Sequence, residues 1–327
     1  MKEITFLKER ADKWQDFEKL LLQKHANPKK LAGLFIEITD DLSYARTHYP
    51  NSKTTQYLND LAARTHQEIY KNKKEKGGRF FTFWKTEVPL AMAEHRKQLL
   101  LAFVLFTLFT ALGFISELAD ENFVRMVLGD SYVDSTIERI KQGNPLGIYA
   151  EGSQVSMFFQ ITLNNILVSF TVYALGLLFS FGTAYQLFTN GIMLGAFQAF
   201  FVKYHLLAKS ILVVWIHGTF EISAIVIAGA AGFVLGNSLL YHKTFRRIDS
   251  LKMGAKKSLK IIVGIVPIFI VAGFLESFVT RYTNMPVWLS MIIILGSLSF
   301  VIGYFVIYPF YVVRKQKNNN DGKNRTP

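Results

Sequence analysis

The sequence predicts an all-α, polytopic membrane protein with about six transmembrane helices behind an N-terminal helical bundle, and three observations carry that prediction. Half of the 327 residues are apolar. After residue 97 they pool into long uncharged runs, the largest from Gly152 to Val202 without a single Asp, Glu, Lys or Arg, well past the roughly 18 residues that mark a span. The formal charge of +13 is not spread evenly: basic residues cluster in the N-terminal region, between the fourth and fifth apolar segments, and in the tail. That is how a protein obeying the positive-inside rule places them, so the surplus reads as topology and contact with anionic lipid, not as a nucleic-acid surface. The absence of cysteine excludes disulfide frameworks, thiolate nucleophiles, zinc ribbons and cysteine-held iron–sulfur clusters.

Taken in order, residues 1–76 read as a cytosolic helical region. MKEITFLKERADKWQDFEKLL carries charges every few residues and so is no secretory signal. Phe6, Leu7, Trp14, Phe17, Leu20 and Leu21 recur at three- and four-residue spacings, which predicts one amphipathic helix from about Thr5 to Lys24. Asn27-Pro28 supplies a cap and first-turn proline for a second, which ends before Tyr49-Pro50. Asn51 or Ser52 caps a third, broken by KNKKEKGG. Residues 77–97, with Phe80, Phe81, Phe83 and Trp84 beside Arg79 and Lys85, are expected to lie as an interfacial lead-in at headgroup level.

The transmembrane domain is placed at 98–313, with spans near 98–116, 157–182, 187–203, 208–241, 261–280 and 287–312. The loop Glu117–Glu151 holds three basic and seven acidic residues, whereas Lys243–Lys260 holds seven basic residues against Asp249. These counts predict a cytoplasmic location for both termini, with residues 314–327 as a basic, disordered tail. Lys243, Arg246 and Arg247 read as anchors to anionic lipid. The third span is short and the fourth long for a bilayer of about 30 Å, so a tilted, broken or re-entrant pair inside the bundle is expected there.

Within the fourth span stands Trp215-Ile216-His217-Gly218-Thr219-Phe220-Glu221. His217 and Glu221, four apart, share a helix face and can hydrogen-bond each other, share a proton or bind a cation; equally, the pair can serve as polar glue between helices. Ionisable groups are expensive in lipid, so both are expected to face inward, interacting with each other or with an amide of the second or third span. Asn164, Asn165 and Asn190 complete the expected intramembrane polar site. Gly191, Gly195, Gly218, Gly229, Gly232 and Gly236, with Gly176 and Gly182, read as close-packing points that bring the second and fourth spans mainly onto one another. Glu276 is expected to face water or pair with Arg281. His-x-x-x-Glu offers only two metal ligands, without His-Glu-x-x-His or a third histidine in a span, so no metal, cofactor or catalytic residue is assigned and an enzyme is not expected.

Leu42-Ser-Tyr-Ala-Arg-Thr-His-Tyr-Pro50, Tyr57-Leu-Asn-Asp-Leu61 and His66, followed by Asn190-Gly191 with Gly195 and then His217-Gly218 with Glu221, resemble the stage II sporulation protein M family. The likeness is to its larger variant with an N-terminal helical region, which also occurs in bacteria that do not sporulate. The resemblance implies a multi-pass bacterial inner-membrane protein; the member that gives the family its name anchors peptidoglycan-degrading enzymes during engulfment. A scaffold or anchor linked to envelope remodelling is therefore expected, with protein partners and the lipid bilayer around it and no nucleic acid. A homo-oligomer, a transporter or channel component with a polar site in the bundle, and an intramembrane enzyme remain open alternatives.

Overall fold

The computed structural model describes residues 3–21, 28–71, 78–147, 152–241, 246–283 and 285–323. The expected cap Asn27, the break at 72–77 and the anchor Lys243 fall outside them. Every regular element among the described residues is helical. The chain divides into two compact units, Met1–Arg79 and Phe80–Pro327.

The first unit holds three helices, α1 (Glu3–Leu21), α2 (Pro28–His48) and α3 (Lys53–Lys71). Their apolar stripes meet in a core of Phe6, Trp14, Phe17, Ile38, Leu42, Ala45, Leu58, Leu61 and Ala62. Ser52 caps α3 by accepting a hydrogen bond from the Thr55 amide at 3.2 Å. Trp14 brings its indole N–H inside with its ring and donates it to Asp41 at 2.9 Å, so the largest ring of this core is buried without an orphaned donor.

In the second unit a short helix α4 (Arg79–Thr82), a π-helical turn (Phe83–Glu87) and α5 (Val88–Glu94) precede the first span. Part of the expected lead-in packs inward. Phe80 and Phe81 are exposed, but Val88, Ala91 and Met92 are buried in the main core. Trp84 donates to the Gly264 carbonyl at 3.2 Å, and its own carbonyl accepts the Tyr304 hydroxyl at 2.5 Å. Glu94 pairs with Lys257, and Glu87 with Lys260 at 2.8 Å.

The long helices are α6 (Arg96–Ala119), α9 (Gln154–Ala174, with a 3₁₀ turn to Leu177), α10 (Phe181–Lys203), α11 (Leu207–Leu240), α12 (Arg247–Phe274, with a π turn Leu275–Val279), and α13 (Val287–Val301), which passes through a π turn into α14 (Tyr308–Lys323). Between α6 and α9 lie α7 (Phe123–Leu128) and α8 (Asp130–Lys141). Five helices among the described residues are long and apolar enough to cross a membrane. The expected third span, α10, is long enough at 23 residues but falls outside the five, its apolar character diluted by Gln186, Asn190 and Gln198.

Boundaries and shapes differ from expectation in several places, and α12 begins at Arg247, well before the expected start of the fifth span. The second span ends early because the chain reverses at Phe179 and Ser180, both left-handed with φ of 50° and 69°; neither residue type signals such a turn. The third span starts six residues sooner, at Phe181. The long fourth span is neither broken nor re-entrant: α11 is one α-helix of 34 residues, about 51 Å at 1.5 Å per residue. Finally, α14 carries helix through Lys323 where a disordered tail was expected; only residues 324–327 lie outside the description.

Packing follows the small residues, though not all in the expected pairing. α11 packs most extensively on α12, and α10 on α6. A Cβ on Gly195 would overlap the Thr110 carbonyl, and Gly113 of α6 meets the Ile192 backbone in the same seam. Gly176 and Gly232 do join α9 to α11 backbone to backbone, while Gly229 meets Leu187 of α10. Gly218 is not a packing point, because a Cβ there would meet only ordinary contacts, at 3.7 Å or more, on its own helix.

Two outcomes follow. Gly195→Ala should cost about 1–3 kcal/mol by overpacking, whereas Gly218→Ala should be neutral or stabilising by up to about 1 kcal/mol from helix propensity; thermal unfolding of the full-length protein in detergent compares the two. In a fragment of residues 1–79, Trp14→Ala should remove about 3–5 kcal/mol, read as loss of a cooperative helical melt by circular dichroism.

Candidate functional site

The site is assembled by α11, α12 and α9. On α11, His217 is 4% exposed, and Glu221 follows one turn later. The π turn at the end of α12 brings Glu276 and Thr280 against them. A π turn widens the helix by one residue per bond: the Thr280 amide reaches back to the Leu275 carbonyl at 2.8 Å, a five-residue span. The Thr280 hydroxyl donates to that same carbonyl at 3.1 Å and lies 3.0 Å from His217 Nδ1. With its proton on Leu275, the hydroxyl is left to accept from Nδ1–H, the tautomer that places the imidazole lone pair on Nε2, 4.0 Å from the Glu276 carboxylate.

One polar atom from each of His217, Glu221 and Glu276 lies within 4.8 Å of the other two. The α9 face closes the arrangement. Gln160, Asn164, Asn165, Glu221 and Glu276, with Ile161, Leu163 and Leu167, line a groove of about 660 Å³. Asn165 is buried and faces Glu221, but its amide nitrogen makes no well-formed hydrogen bond. Gln160 and Asn164, one turn apart, are exposed on the outer face of α9.

Of the residues expected from sequence, His217, Glu221, Asn164 and Asn165 therefore come together. Asn190 does not: its side chain turns back on α10 and donates to the Gln186 carbonyl at 2.8 Å. Gly191 beside it packs against Phe109 of α6. Glu276 was expected at water or beside Arg281; its side chain is only 15% exposed and lies against His217, while Arg281 donates to the Gly152 carbonyl at 3.1 Å. Glu276, Thr280 and Gln160 are the members that the sequence reading missed. A carboxylate in an apolar segment followed four residues later by a threonine was a signal for the first two, but a π turn cannot be read from spacing.

A further acid, this one fully buried, lies at another polar junction. Glu117, fully buried at the end of α6, accepts the Val124 amide at 2.6 Å and pairs with Lys203 at 2.8 Å. It ties α6, α7 and α10 together with its charge compensated. The groove cluster, by contrast, holds two carboxylates and an imidazole with no Lys or Arg among the residues lining it.

Fold and site together define a polytopic, all-α membrane protein with an ionisable cluster between its spans. The pattern of stage II sporulation protein M matches residues 102–281, more than half of the chain, and that of a domain of unknown function (DUF8413) matches residues 4–71. The chain belongs to the stage II sporulation protein M family. No curated protein and no solved structure matches it.

Thr280→Val keeps the shape and removes the acceptor for His217 Nδ1, so it should cost about 1–3 kcal/mol in thermal unfolding of the full-length protein in detergent. Thr280→Ser should recover most of that loss.

Proposed function

We propose that this chain is a scaffold of the bacterial inner membrane, with both termini cytoplasmic, and that its lateral groove receives a transmembrane helix of a partner protein. The observation that carries the reading is Asn164, an amide on the exposed face of α9; Gln160, one turn earlier, donates to the Ser156 hydroxyl at 3.1 Å within the same helix. Asn164 lies ten residues into that helix, about 15 Å from its start. Amides turned toward hydrocarbon are unfavourable, and membrane helices satisfy them by hydrogen-bonding to a neighbour. A partner helix bearing a polar side chain would cover the Asn164 amide at the mouth of the groove. The separate N-terminal helical unit, with its own core, suits recruitment of cytosolic partners, and the basic segment after α11 suits contact with anionic lipid. Coupling to envelope remodelling is the process the family resemblance favours. No catalytic step is required.

A photo-crosslinking residue at Asn164, in native membranes, should give a discrete protein adduct. The same residue at Leu108, 58% exposed on α6, should not. An adduct at twice the chain's mass identifies a second copy as the occupant; no adduct at Asn164, or equal adducts at both positions, overturns groove docking.

A second reading, a permeation component, is favoured by the same polar lining. It requires water in the groove. Because the chain has no cysteine, Gln160→Cys reports this directly: an impermeant thiol reagent labels it in spheroplasts if an aqueous path exists, and leaves it unlabelled if lipid or a helix fills the groove.

A further inference from the structure

We infer that His217, Glu221 and Glu276 form a binding site for one divalent first-row transition cation, of which Zn²⁺ is the representative. The inference stands whether or not a partner helix docks in the groove. Four features point the same way. First, the donor set is one imidazole and two carboxylates, which suits a borderline ion of this class. Secondly, the contact of His217 Nδ1 with the Thr280 hydroxyl at 3.0 Å orients the ring with Nε2 toward Glu276, and an outer contact of this kind steadies a ligating histidine. Thirdly, the three polar atoms already lie within 4.8 Å of one another. A tetrahedral ion with bonds of about 2.1 Å sets its ligands about 3.4 Å apart, so closure needs small side-chain rotations. Fourthly, the buried Asn165 faces Glu221 from α9 in the same groove, so its amide can steady that carboxylate as a ligand.

Charge balance adds a physical reason. Two carboxylates close together in a low-dielectric interior repel each other, and the imidazole lone pair adds to the negative potential. A dication cancels two carboxylate charges, leaving the cluster neutral. Calcium and magnesium fit poorly, since they take six or more oxygen ligands and the nitrogen of His217 is not one. The absence of cysteine removes thiolates as competing sites.

The test uses the full-length protein in detergent, stripped with a chelator, incubated with Zn²⁺, desalted and assayed for metal by mass spectrometry. Wild type should retain about one ion per chain. His217→Gln and Glu276→Gln should each lower retention by more than about tenfold, and His205→Gln, a histidine at the α10–α11 turn, should leave it unchanged. Zn²⁺ should raise the melting temperature of wild type and of His205→Gln only. Should either site variant fail to fold, Co²⁺ bound to wild type decides alone: intense visible bands of a four-coordinate ion support the site, and the weak bands of a six-coordinate ion overturn it. No retention by wild type, undiminished retention in both variants, or displacement of Zn²⁺ by equimolar Ca²⁺ or Mg²⁺ also overturns it. An Asn164 crosslink that persists in chelator-treated membranes lacking bound metal leaves the scaffold reading standing while the metal site falls.

Discussion

The carbonyl of Gly232 occupies the space that a side chain on Gly176 would need, and the position of α9 on α11 depends on that contact. Beside it the Thr183 hydroxyl donates to the Val172 carbonyl at 2.8 Å, drawing the start of α10 into the same junction. In a bilayer no hydrophobic force presses helices together, so the gain comes from close packing and buried hydrogen bonds. With the backbones in contact at this end, α9 is held along α11, and Asn165 faces Glu221 three turns away. A bulkier residue at the contact would shift the amides relative to the carboxylates.

The acids of the bundle illustrate how location decides what an ionisable group is for. Glu117 has a lysine and a backbone amide to compensate it, and it acts as a clamp where three helices end. Glu221 and Glu276 have neighbours that are neutral or of like sign and a groove on their open side. Asn165 and His217 are the polar groups set against them, and a proton or a cation reaching the groove would complete their compensation.

Much of the fold was legible in the sequence because membrane segments announce themselves through length and lack of charge, and the N-terminal helices through caps and spacing. His217 and Glu221 were legible for the same reason, as charges where charges are costly. What escaped was whatever depends on backbone irregularity. Phe179 and Ser180 adopt left-handed conformations that their side chains do not advertise, so the limit between α9 and α10 was misplaced. Glu276 belongs to the site through a π turn, and a single carboxylate near a span end looks solvent-facing until that turn is seen. Asn190 failed in the opposite sense: four residues from its acceptor, it satisfies itself within α10. Gly218 sits beside the chemistry without being a contact point.

The π turns around Trp84 and Tyr304 have a mechanical consequence. The Tyr304 and Tyr308 hydroxyls donate to the carbonyls of Trp84 and Lys85, at 2.5 and 3.1 Å, and the Trp84 indole reaches across to Gly264. The chain therefore enters the bundle through a latch closed by its last long helix, and a tug on the polypeptide just before Phe80 would load that latch before it reached the first span. Tension arriving along the chain from its N-terminal side would thus be felt by the penultimate and final helices, and through α12 by the turn that carries Glu276.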